Sequence, residues 1–199
     1  MINTVIFDIG MVLVNFCWQD MLKELGFEGE TFENVANATM RNPLWQDFDR
    51  GTWSTDELIR RFVANAPEYK TEIETVFKNM DKIVVLYDYA LDWIRQLKAD
   101  GFKVYILSNL PELVHLANLD DKLRFLKEVD GAVLSYQEQL LKPERRIYEV
   151  LCERYGIVPE QAVFFDDKQE NVEAAGAVGL NAIQFRDYEQ GMTEFKQYL

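Results

Sequence analysis

Cysteine is almost absent from this chain: Cys17 and Cys152 stand far apart among 199 residues. Two such residues make no disulfide framework, and they read as reduced, partly buried thiols of a cytoplasmic protein. Nothing basic flanks Cys17, so no nucleophilic thiol is expected there. Histidine occurs once, as His115 in a helix-like stretch with no partner to suggest a triad, and a structural role is expected for it. No apolar stretch is long enough to span a bilayer. The apolar run from Thr4 to Phe16 contains Asp8, follows no basic residue and has no small-residue cleavage site, which makes it a poor signal peptide. Basic residues are also short: 21 Lys and Arg face 34 Asp and Glu, a formal net charge of -13. That balance excludes a nucleic-acid surface, which works by neutralising phosphates, and it disfavours anionic membranes. It also repels a phosphorylated small molecule at long range, so phosphate chemistry here requires a local cation. No repeat, low-complexity tract or charged linker interrupts the chain.

What is present suits one enzyme-sized globule, with 48% hydrophobic and 13% aromatic residues to fill a core. Strand-like runs, most of them continuously apolar, occur at 4–7, 103–107, 131–134, 162–165 and 181–185. Such runs fit parallel strands buried on both faces. Between them lie helical stretches with clear stops: Leu91, Ile94 and Leu97 before Gly101, Ile147, Val150 and Leu151 before Gly156, and Asn171 to Val178 before Gly179. Pro143 is placed at a helix start. The alternation predicts an α/β fold, a doubly wound Rossmann-like parallel sheet. The segment 16–85 breaks it, with helical periodicity in Met21 to Leu25, Leu58 to Val63 and Ile73 to Met80 and no convincing strand. It is expected to be an all-helical cap inserted after the first strand, leaving 1–15 and 86–199 as the core domain.

Ligands of open α/β sheets bind beyond the carboxyl ends of the strands. The ends here carry Asp8, Ser108-Asn109, Lys142-Pro143 and Asp166-Asp167. Three carboxylates, one ammonium and a hydroxyl/amide pair form a sensible constellation for phosphoryl transfer. Carboxylates hold a hard cation through oxygen, and Mg²⁺ uses one or two of them plus waters and substrate phosphate. Lys142 can neutralise phosphate as a point cation, an attraction of roughly 4 kcal/mol at 4 Å in an effective dielectric of 20.

Those motifs, in that order, resemble the haloacid-dehalogenase-like superfamily: Phe7-Asp8-Ile9-Gly10-Met11-Val12-Leu13 is similar to its first motif, Leu107-Ser108-Asn109 to its second, Lys142-Pro143 to its third and Phe164-Phe165-Asp166-Asp167 to its fourth. The helical insertion matches the position of the family's cap. The resemblance implies that Asp8 attacks phosphorus to form an aspartyl phosphate. It implies Mg²⁺ held by Asp8, the backbone carbonyl of Gly10 and Asp167, with Asp166 supporting or binding it. Ser108, Asn109 and Lys142 would hold the phosphoryl oxygens. The expected substrate is a small phosphorylated metabolite. Haloacid hydrolysis on the same Asp is the other enzyme reading, but that chemistry has no use for the Asp166-Asp167 pair.

One position departs from the pattern. Most phosphatases of the superfamily carry an acid/base Asp two residues after the nucleophile, and here that residue is Gly10. A branch that includes bacterial glucose 1-phosphate phosphatases also carries Gly there, which points to a sugar 1-phosphate whose leaving oxygen needs less protonation. A catalytically weak protein that binds a metabolite or a protein partner is the reading from a different class. Within the cap, Trp45, Asp49, Arg50 and Trp53 form a polar-aromatic stretch, of which Trp45 and Arg50 are candidate substrate contacts; the alternative is helix packing and a solvated turn.

Overall fold

The computed structural model describes all 199 residues. Its five-stranded sheet is parallel throughout, in the order β5-β4-β1-β6-β7, with β1 Thr4–Phe7, β4 Lys103–Ser108, β5 Gly131–Leu134, β6 Ala162–Asp166 and β7 Asn181–Gln184. The continuous apolar runs have a direct cause. Along β1, β4 and β6, Val5, Phe7, Val104, Ile106, Val163 and Phe165 belong to one buried cluster, while Ile6, Tyr105, Leu107 and Phe164 belong to another. Alternate side chains of a strand point to opposite faces, so a sheet covered on both needs apolar residues at every position.

Helices cover the two faces. The first cluster takes in Trp93, Ile94 and Leu97 of α6 (Ala90–Ala99) and Phe195 of α11 (Tyr188–Phe195). The second takes in Ile147, Tyr148 and Leu151 of α9 (Arg145–Tyr155) and Ala175 of α10 (Gln169–Ala177). Two short helices, α7 Glu112–Asn118 and α8 Ser135–Glu138, follow β4 and β5. Pro143 is not a helix-start residue as expected: it lies in the loop before α9, whose N-cap is Glu144.

Between β1 and α6 the chain forms five α-helices: α1 Trp18–Glu24, α2 Gly29–Ala38, α3 Leu44–Arg50, α4 Thr55–Asn65 and α5 Lys70–Lys78. Phe48, Phe62 and Phe77 knit α3, α4 and α5 together, with ring centroids 5.0–6.4 Å apart. Ser54 caps α4 by accepting from the Glu57 N–H, and Asp56 and Glu57 lie at its positive end. The expectation of no strand up to residue 85 is corrected. β2 (Val14–Phe16) and β3 (Val84–Leu86) pair antiparallel, so the chain leaves for the helices and returns from them along one narrow ribbon. Three residues are too few for an alternating pattern to register in the sequence.

On another side, three consecutive residues tie the helical segment to the sheet domain. The Asp49 carbonyl accepts from the Ser135 hydroxyl, Arg50 pairs with Glu144 and donates to the Gln139 carbonyl at 3.1 Å, and Gly51 lies against Tyr136. Gly51 ends α3 in the left-handed conformation (φ +68), and a Cβ there would sit 2.8 Å from the Tyr136 carbonyl oxygen. Gly51→Ala is therefore expected to cost about 1–3 kcal/mol through overpacking and backbone strain. Urea denaturation checks this, and an unchanged midpoint would show that the contact has slack. No helix is long and apolar enough to cross a membrane.

Candidate active site

Parallel register around the central strand decides what meets at the sheet edge. β1 lies between β4 and β6, and Phe7 is level with Ile106 and Phe165. Side chains just beyond this level converge: Asp8, Ser108 and Asp166 are buried, and the buried Lys142 reaches in from the loop between α8 and α9.

Asp8 Oδ1 collects three donors: the Ser108 hydroxyl at 2.7 Å, the Ile9 N–H at 2.7 Å and the Lys142 ammonium at 2.8 Å. Its Oδ2 has no hydrogen-bond partner within the protein and is the oxygen left for an incoming group. Burial pushes the Asp8 carboxyl up to about 6, against the pull of Lys142. Lys142 also reaches Asp166 Oδ2 at 2.6 Å and lies 5.3 Å from the Phe164 ring centre. Burial alone would lower its pKa, but the two carboxylates outweigh it and the net shift is upward, so the ammonium stays charged.

Asp166 is fully committed. Its Oδ1 accepts from the Lys168 N–H and the Asn171 amide, both at 2.9 Å, so it caps the turn into α10 as well as holding Lys142. Asp167 differs, because its carboxylate makes no hydrogen bond or ion pair. Burial raises it, with Asp166 adding to the effect. One ligand oxygen from each of Asp8, Asp166 and Asp167 can be chosen so that all lie within 4.8 Å of one another. All-oxygen donors fit a hard divalent cation. The buried Asn171 Oδ1 close by has no partner, an acceptor that a water of a hydrated cation would satisfy. The residues present thus fit such an ion, with Asp8 and Asp167 holding free oxygens and Asp166 bracing Lys142 and the turn.

Two side chains expected to touch substrate are engaged within the protein. The Asn109 side chain is closed onto the Lys142 main chain, donating to its carbonyl at 3.0 Å and accepting from its N–H at 2.8 Å; it sets the Lys142 loop in place, and Asn109 lines the cavity beside it. Arg50 lines no part of the cavity, because Glu144 and the Gln139 carbonyl hold its guanidinium. Trp53 is likewise outside the cavity, with Arg61 stacked 4.0 Å from its ring centre. Trp45 does line it. His115 takes a structural hydrogen bond to the Tyr136 hydroxyl at 2.9 Å, and burial raises the Cys17 thiol, which donates to the Ile83 carbonyl.

The cavity between the strand ends and the helical segment measures about 290 Å³. Its floor is Asp8, Gly10, Ser108, Lys142 and Asp167; much of its wall is apolar, from Val14, Phe16, Met40, Trp45, Val84 and Val114. Two charged residues enter it that sequence reasoning gave no catalytic part: Lys168, beside the acidic pair, and Asp49, from the end of α3. The only sequence signal for Asp49 was its place in the polar-aromatic stretch.

A family model described as haloacid dehalogenase-like hydrolase matches residues 2–179. The sesquiterpene phosphatase astK of Aspergillus oryzae is 26% identical over 200 residues, covering 96% of this chain and 94% of that protein. Phosphatase MT3486 of Mycobacterium tuberculosis is 25% identical over 193 residues, covering 91% and 86%. Among solved structures, a haloacid-dehalogenase family enzyme from Bacteroides thetaiotaomicron superposes with a TM-score of 0.78 at 19% identity over 98% of both chains. Its complex with magnesium and inorganic phosphate gives 0.72 at 19% identity over 94% of this chain and 95% of that one. A dehalogenase gives 0.68, also at 19%, over 100% and 97%. At such identities the structures speak for the shared fold. From the order of its motifs, its parallel sheet and the family match, this chain belongs to the haloacid dehalogenase-like hydrolases.

Proposed function

We propose that this chain is a magnesium-dependent phosphomonoester hydrolase working through an aspartyl phosphate on Asp8, with 16–85 as a cap over the site. One observation carries the reading. Asp8, Asp166 and Asp167 bring three carboxylates together at the strand ends and Lys142 one ammonium, a combination that a single divalent cation neutralises and that haloacid hydrolysis does not need. The phosphatase names of the relatives, and the magnesium and phosphate bound by the Bacteroides enzyme, support the same choice.

Asp8, the Gly10 carbonyl and Asp167 would hold the metal, which, when bound, offsets the charge of the carboxylates and of the phosphate. Lys142 holds Asp8 in place and adds positive charge where the phosphoryl oxygens gather. The Ser108 hydroxyl, now on Asp8 Oδ1, fixes the carboxylate so that Oδ2 faces phosphorus. Asp8 Oδ2 forms a bond to phosphorus as the bond to the leaving oxygen breaks. Water then attacks the aspartyl phosphate, and the phosphorus bond to Asp8 breaks to release phosphate and restore the carboxylate.

The walls bear on the substrate. A sugar 1-phosphate remains the reading that Gly10 suggests, but Val14, Phe16 and Met40 offer its hydroxyls no strong partners, and buried unpaired hydroxyls are costly. A small phosphate ester with an apolar organic part suits these walls better. Purified protein with Mg²⁺ should hydrolyse phosphate esters, lose turnover in EDTA and regain it when Mg²⁺ is restored in excess. Undiminished activity in chelator would refute the metal's part, and turnover of haloacids but of no phosphate ester would refute the whole reading.

A further inference from the structure

The reaction so far lacks a proton donor. The leaving oxygen of an alkyl phosphate departs as an alkoxide unless an acid protonates it, and the attacking water must later lose a proton. Gly10 supplies neither, and an ideal Cβ there meets nothing within 4 Å, so no other side chain has moved into the gap.

We propose that Asp49, carried over the floor by the cap, is the general acid and base of the reaction. This rests on the phosphatase reading above. Asp49 lines the same cavity as Asp8, Lys142 and Asp167, and its carboxylate makes no hydrogen bond or ion pair that would explain its place as structural. Its position is nevertheless well determined. Its own carbonyl is held by Ser135, the next residue is held by Glu144 and Gln139, and the one after is wedged on the Tyr136 backbone. Three successive tethers leave a side chain aimed into the cavity with nothing in the protein to satisfy it. Such a group in a cleft facing a nucleophile is a site candidate on geometric grounds.

Its ionisation agrees. Burial pushes the Asp49 carboxyl up to about 7, with Lys168 opposing, Asp8 adding and Lys142 opposing. The other elements packed on α3 bring Tyr136 and Glu138 from α8, the latter bound to Arg154, and Glu57, Arg60 and Arg61 from α4, which pair among themselves. A carboxyl that is partly protonated near neutrality can give a proton and take one back, whereas an ordinary carboxylate can only accept.

The two steps then balance. As Asp8 Oδ2 bonds to phosphorus, the bond to the leaving oxygen breaks and the Asp49 carboxyl gives that oxygen its proton, releasing a neutral alcohol. The resulting Asp49 carboxylate takes a proton from water as water attacks phosphorus, the bond to Asp8 breaks, and phosphate leaves. Asp49 ends protonated and Asp8 ionised, as they began.

The test is kcat/KM for p-nitrophenyl phosphate, whose leaving group needs no proton, against a primary alkyl phosphate, in wild type and Asp49→Asn, with circular dichroism confirming that both fold. The variant is expected to lose about 10²-fold or more on the alkyl ester and less than about 5-fold on the aryl ester, since general acid help spans 10²–10⁴-fold and acts only on the basic leaving group. Aspartyl phosphate should also accumulate during aryl ester turnover, seen as added mass on the acid-quenched variant. Equal losses on both esters with no trapped phosphoenzyme would mark Asp49 as structural and overturn the assignment, and so would no loss on either. Should wild type itself hydrolyse neither ester, the phosphatase reading fails first and takes this one with it.

Discussion

Asp8→Asn is expected to remove turnover of every phosphate ester by at least about 10⁴-fold, in line with nucleophile removal elsewhere, while the fold survives. The amide matches the carboxylate in shape but has no anionic oxygen to bond to phosphorus. Stability should be spared because Lys142 keeps its second partner, Asp166, at 2.6 Å, and because a carboxyl that burial has already raised to about 6 gives up little when it is neutralised. The measurement is single-turnover hydrolysis beside a thermal melt. A variant that melts like wild type and still turns over above trace contamination would end the covalent route, since another nucleophile would have to be at work.

Lys142→Met should behave in the opposite way and damage both activity and fold. Lys142 is almost completely buried, and it is the only cation paired with either Asp8 or Asp166. Removing one member of a buried ion pair leaves uncompensated charge and typically costs 3–5 kcal/mol, which for a chain of this length is a drop in Tm on the order of 10 °C. Adding Asp166→Asn should recover part of that loss, because it takes away one of the two stranded carboxylates, and the double-mutant cycle should show coupling above about 1 kcal/mol. A cost below about 1 kcal/mol for Lys142→Met alone would mean that its charge matters to phosphate and not to the architecture.

The parts of this molecule that the sequence discloses are those with a local physical signature. Residues 5–7, 104–107 and 162–165 are apolar without a break because their strands are covered on both faces. That same burial throws the first polar residue after each apolar run into relief, which is how Asp8, Ser108 and Asp166 were found. Asn109 and Arg50 were found, but not the groups that hold their side chains. An amide and a guanidinium show what they can bind, while their partners, the Lys142 main chain and Glu144, lie 33 and 94 positions away. The β2–β3 ribbon leaves no pattern because each strand has three residues. Asp49 was hardest to see for a related reason. Its meaning comes from facing Asp8 across a cavity that only the closed chain creates, and in sequence it is one acidic residue among the many of an acidic protein.

The tethers at residues 49–51 bear on timing. If the helical segment swings about the β2–β3 ribbon to let product out, the contacts made by Ser135, Glu144 and Tyr136 must part, and Asp49 leaves with them. Bulk water then reaches the aspartyl phosphate at the moment the group that would activate that water has been withdrawn. On the proposed mechanism, an open enzyme would hold its phosphoryl group safely and hydrolysis would wait for closure. One short stretch of chain would thus set both when the site is shut and when it is reactive, and a stray opening would bring delay rather than a wasted intermediate.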